Sequence, residues 1–94
     1  MTIEELLEEA KAIWDGKQQS LPQVTVLMGV IYGDICRQAR SGQEGKIVNA
    51  AELKKELGNM IFSTVRWCNE LGYDPTECIG LAKEAQKQYV TSTE

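Results

Sequence analysis

Residues 52–71 read ELKKELGNMIFSTVRWCNEL, and this stretch decides the fold. Leu53, Leu57, Met60, Ile61, Thr64, Trp67, Cys68 and Leu71 recur at three- and four-residue steps, so they share one face of a long amphipathic helix. Beside that face runs a polar strip of Glu56, Asn59, Ser63 and Arg66. The apolar face needs partner helices, and any chemistry is expected on the strip. Taken singly, the strip residues read as a solvated edge.

The boundaries of this third helix are written in its flanks. Asn49 with Glu52 is a capping-box pattern that opens it, and Gly72 suits the position just past its end. The segment before it, Ser41–Val48 (SGQEGKIV), holds two glycines and reads as a loop. The chain then continues through Asp74-Pro75 with Glu77, a cap, a first-turn proline and a first-turn acid, into a fourth helix. Ile79, Ala82, Ala85, Gln86 and Tyr89 give that helix a short apolar face. The last residues, VTSTE, are expected to fray.

Upstream, helix one is expected from Ile3 to Trp14, opened by a Thr2/Glu5 capping box. Its inner face is Ile3, Leu6, Leu7, Ala10, Ile13 and Trp14. Glu4, Glu5, Glu8 and Glu9 face water and complement the positive end of the helix dipole. Asp15–Gln19 (DGKQQ) is a polar link with Gly16 placed to stop the helix. Ser20 with Gln23 is a further capping box, and helix two is expected from Leu21 to Arg40 with a stripe of Val24, Leu27, Met28, Ile31, Ile35 and Ala39. Gly29 and Gly33 sit one turn apart inside it. Each costs about 1 kcal/mol relative to alanine there, so the pair points to a close backbone approach, by helix three or by a partner subunit. Asp34 borders the stripe and needs a partner such as Arg37.

No segment alternates as a strand does, and no internal repeat is present. The expectation is one all-α domain over residues 1–94, a four-helix bundle with helices two and three forming the core and the dimer interface. Short links between helices one and two, and between three and four, favour antiparallel neighbours. The core looks thin for ninety-four residues, so a homodimer or a dimer of dimers is expected.

Composition narrows the function. The net charge is −4 and the ten basic residues are scattered, which argues against a nucleic-acid partner. No apolar run is long enough to cross a bilayer, and the acidic N-terminus is unlike a secretory signal, so a cytoplasmic protein without a membrane role is expected. The chain has no histidine, which removes histidine bases and ligands. Its three cysteines, Cys36, Cys68 and Cys78, have no paired spacing and read as small core residues in a reducing compartment.

The order VIYGDI (30–35), KELGNMIF (55–62), ELGYDPTECI (70–79) and KEAQKQY (83–89) resembles the MazG-type all-α nucleoside triphosphate pyrophosphohydrolases. The resemblance covers helices two to four. It implies hydrolysis of a nucleoside triphosphate to the monophosphate and pyrophosphate, with Mg²⁺ held by acids in the patterns E-E-x-x-E and E-x-x-D on two helices. Carried over position by position, the first two acids fall on Val30 and Ile31, the third on Asp34, the fourth on Glu56 and the fifth on Asn59. The resemblance thus implies Asp34, Glu56 and Asn59 as metal ligands, with Glu56 the key catalytic carboxylate. Glu52 or Glu44 would be substitutes for the missing acids. Lys55, Lys83 and Lys87 would contact substrate phosphate. Two carboxylates can hold one Mg²⁺ when phosphates help, but not a multi-metal site. Two functions therefore follow: a diverged pyrophosphohydrolase with its activity weakened or lost, or a non-catalytic binding or assembly protein on the same fold. A small helical interaction module outside the family is the third.

Overall fold

In the computed structural model, which describes residues 1–93, four helices follow one another: α1 (Ile3–Trp14), α2 (Leu21–Gln43), α3 (Ala50–Glu70) and α4 (Pro75–Thr93). The described residues contain no strand. The all-α expectation and the central place of helices two and three are therefore met. α3 is the hub, packing most extensively on α2 and also on α1 and α4. The short first link does not make α1 chiefly a neighbour of α2, as its length suggests; α1 docks across α3 instead.

The start signals act as their residue types require. The hydroxyl of Thr2 accepts from the Glu5 amide while the Glu5 carboxylate takes the Thr2 amide, and Ser20 and Gln23 repeat the exchange. The box expected at Asn49 is only half formed. Asn49 Oδ1 accepts from the Glu52 amide at 3.1 Å, but the Asn49 amide donates to Gln38 Oε1 of α2 at 3.2 Å. A longer-range acceptor has displaced the local one, and it ties the loop before α3 to α2.

The helix ends correct two boundaries. α2 runs three residues beyond Arg40 and stops at the second glycine of the loop, Gly45, whose φ is +77°. There the Gly45 amide bonds the Gly42 carbonyl and the Lys46 amide bonds the Ser41 carbonyl, the double closure of a Schellman motif. Gly42 lacks a positive φ and is simply helical. Gly72, φ +86°, closes α3 in the same way, with the Tyr73 amide on the Cys68 carbonyl at 2.9 Å. The terminal residues expected to fray continue α4 as far as Thr93, and Glu94 lies outside the described residues.

The core is small. Val24 and Ile31 of α2 close on Trp67 of α3, with Leu27, Ile35 and Met60 packed around them. Leu6 and Ala10 bury the inner face of α1. Pro75 is buried at the start of α4, where Thr64, Val65 and Cys68 face Cys78, Ile79 and Ala82. Beyond that turn the described side chains of α4 are exposed, Tyr89 by 70%. Cys36 is exposed rather than a core residue.

Candidate functional site

α3 is turned about its axis relative to the simplest reading of its sequence. The polar strip faces inward: Arg66 is 5% exposed, Ser63 is buried, and the Glu56 side chain is largely covered. Only Asn59 stays in water. Leu57 and Ile61, assigned to the apolar face, are exposed instead. The strip is not a solvated edge, because α1 and the link after it pack over its C-terminal half.

The residues implied as metal ligands are each engaged locally. Asp34 forms an ion pair with Arg37, the partner expected from the sequence. Asn59 Oδ1, the oxygen a cation would use, accepts from Ser63 Oγ at 3.1 Å. Glu56 has Lys55 Nζ 4.0 Å away, while the same ammonium sits 2.9 Å from Glu52, whose hydrogen bond and charge raise the Lys55 pKa. Glu44 is held by Arg40 at 2.8 Å and by Lys46 at 3.2 Å, and these two cations lower its pKa. Among the described residues no three or more of Asp, Glu, Cys and His converge on a point where a metal could bind. The donor set present does not fit the multi-carboxylate Mg²⁺ site that the resemblance implies. Glu52 and Glu44, the possible replacements, are both occupied by cations. Lys87 pairs with Glu84 at 3.4 Å, and Lys83 lies beside it along α4, remote in sequence from the acids and with no ion pair among the described residues.

The polar cluster with the most connected geometry lies elsewhere, where the α1–α2 link crosses the end of α3. Arg66 Nε is 3.2 Å from Glu70 Oε1, and both side chains are more than nine-tenths covered. Arg66 Nη2 donates to Gln19 Oε1 at 2.9 Å, and Trp67 Nε1 donates to the same oxygen at 2.7 Å. The Gln19 amide returns a bond to Glu70 Oε2 at 3.2 Å. The guanidinium lies 4.1 Å from the centroid of Trp14 and 5.6 Å from that of Trp67, within reach of both ring quadrupoles. Burial lowers the Arg66 pKa while the Glu70 charge opposes that shift, and the side chain stays charged. Nε and Nη1 are buried and have no hydrogen-bond partner.

The sequence held a signal for half of this cluster: Arg66 and Glu70 stand four apart on one helix. Nothing local announced Gln19, which is forty-seven residues from Arg66. Beside the cluster a cleft of about 420 Å³ opens between α1 and α3, lined in part by Lys11, Trp14, Lys17 and Arg66.

Fold and site together define a small all-α protein whose buried polar network fastens a link to its central helix. No protein-family model, no curated protein and no solved structure matches the chain.

Proposed function

We propose that this chain is a MazG-like helical module that has given up metal-dependent hydrolysis of nucleoside triphosphates and works as a self-associating binding or assembly protein. The observation that carries this reading is the outer face of α2. Val26 is 66% and Val30 56% exposed, on the side of the helix opposite Val24 and Ile31. Gly29 and Gly33 lie on that side too, with nothing within 4 Å of where a Cβ would stand. Helix three therefore does not make the close approach that the glycines permit, and this open space supports a partner subunit there. A helix apolar on both faces is buried on both in a stable structure.

The size of the uncovered surface agrees. A compact protein of 10.5 kDa exposes about 5,400 Å², whereas this chain exposes 7260 Å². The difference exceeds the roughly 800 Å² that each partner contributes to a standard interface. The radius of gyration is 15.7 Å, against about 12 Å for a compact chain of this length. A twofold pair is the commonest symmetric solution, with the same patch used by both copies. We place the crossing of two α2 helices at Gly29 and Gly33.

A second reading keeps residual hydrolysis of a nucleoside triphosphate at Glu56, with Asp34 and Asn59 as ligands and Lys55, Lys83 and Lys87 on phosphate. What favours it is that the largely covered Glu56 carboxylate has its nearest cation only at 4.0 Å. One experiment separates the two. Sedimentation equilibrium of the chain and of Val26→Glu is run beside a pyrophosphate-release assay over a panel of triphosphates with Mg²⁺ or Mn²⁺. The first reading expects a dimer that Val26→Glu splits, with no turnover. A monomer at every concentration, or turnover abolished by Glu56→Gln, overturns it.

A further inference from the structure

We infer that the cleft between α1 and α3 binds a small phosphate ester, with Arg66 Nη1, Lys11 and Lys17 supplying the donors. The site is separate from the acids implied by the MazG resemblance and from the outer face of α2. The starting point is the Arg66 guanidinium, two of whose nitrogens, Nε and Nη1, are buried without a hydrogen-bond partner. Arg66 is 5% exposed and charged; Nη2 is taken by Gln19, Nε has Glu70 only as an ion-pair neighbour at 3.2 Å, and Nη1 has no acceptor at all. The Trp14 and Trp67 rings offset part of the charge, but a ring face at these distances supplies no lone pair for Nη1–H. A buried donor without an acceptor calls for an explanation, and a ligand oxygen in the adjoining cleft provides one.

The charges around the cleft choose the ligand. Lys11 and Lys17 line it and form no ion pair among the described residues, so two lysines border the same cleft as Arg66. Two carboxylates also line it, Glu8 and Glu70, and Glu70 is already engaged by Arg66 and by the Gln19 amide. The lining is thus net positive in a chain whose overall charge is −4. Gln19 and Glu70 stand along the Nε/Nη2 edge of the guanidinium, so a ligand in the cleft would meet the Nη1 side. What remains is the Nη1 amino group, with its two N–H donors, and two lysine point charges, spread out in the way that suits a dianion with several oxygens. The volume of about 420 Å³ falls within the range of small-molecule sites and exceeds the needs of a bare phosphate, so the ester group has room beside Leu7 and Trp14. Trp14, 40% exposed at the last position of α1, lies over the guanidinium, so a ligand beside Arg66 changes the surroundings of its indole.

The test is calorimetric titration of the full chain with phenyl phosphate, with inorganic phosphate as competitor and tryptophan fluorescence as a second readout. The expected result is saturable one-site binding, displaced by phosphate and accompanied by a change in emission. In Lys11→Gln/Lys17→Gln, whose altered side chains are exposed and leave the core intact, affinity is expected to fall about tenfold. Arg66→Lys, checked for native circular dichroism, is expected to lose binding as well. Absence of saturable binding, or an affinity unchanged in the double lysine variant, overturns the proposal. These outcomes do not depend on whether the chain is a dimer.

Discussion

Gln19 is the residue on which the end of α3 depends most. Its single side-chain oxygen satisfies both Arg66 Nη2 and Trp67 Nε1. Removing it leaves two covered donors unpaired, at roughly 1–3 kcal/mol each. Gln19→Ala is therefore expected to lose about 2–4 kcal/mol in urea denaturation, a large share of the stability of a domain this small. Arg66→Ala should lose more than Gln19→Ala, because it strands the covered Glu70 carboxylate. The charges on the surface act with opposite signs against pH. Glu44 has its pKa lowered by Arg40 and Lys46, so its contribution is present above the unfolded carboxylate value and is lost as pH falls through the folded one. Lys55 has its pKa raised by Glu52, so its contribution is lost as pH rises through a folded value above 10.5. Glu44→Gln is expected to flatten the acid limb of the stability–pH curve and leave the alkaline limb unchanged; a steeper acid limb would contradict this. At this scale the sequence was half legible. The Asp34–Arg37 pair follows from spacing alone, but the burial of Ser63 and Arg66 does not, since a polar strip beside an apolar face looks the same whether water or another helix lies over it.

At the scale of elements, the starts and most of the stops are local chemistry. Gly72 supplies the left-handed residue that lets α3 end and α4 begin, and Gly72→Ala is expected to cost about 1–2 kcal/mol from that backbone conformation. Gly29 is the opposite case. It is helical with open space beside it, so Gly29→Ala should add up to about 1 kcal/mol of helix propensity if α2 met no partner. A loss of self-association in the same variant would mark the crossing point in a sedimentation experiment. Cys36 provides an independent reading, because it is exposed and lies on the outer side of α2 with the glycines. Its reaction with a thiol reagent is expected to be slow at high protein concentration and fast on dilution. Cys68 should react slowly at both, since burial first, and then a thiol hydrogen bond with Cys78, raises its pKa. The longer α2 was not visible in advance because two glycines in one loop compete to stop a helix. The choice of Gly45 over Gly42 appears only when the carbonyls of Ser41 and Gly42 are seen to be capped.

For the whole molecule, the proposed pairing of two copies would make stability a function of concentration. If two copies share a face, the thermal midpoint rises with protein concentration, as it does whenever association stabilises the folded state alone. Val26→Glu should remove that dependence. A midpoint constant over a wide concentration range would instead mean that the chain is stable by itself despite its small core. No helix among the described residues is long and apolar enough to cross a membrane, so the exposed apolar groups are not those of a membrane-spanning helix. What the sequence determined is the set of helices: periodic apolar positions, cap residues and glycines act over a few residues, and their energetics are local. The inner face of α2 was determined in the same way, since Val24 and Ile31 lie on a stripe that the period defines. Only the tertiary structure decided which side of α3 turns inward, that α1 docks on α3, and that Gln19 joins Arg66 to Trp67. These depend on segments far apart in the chain competing for the same helix surface, and no local pattern records who wins.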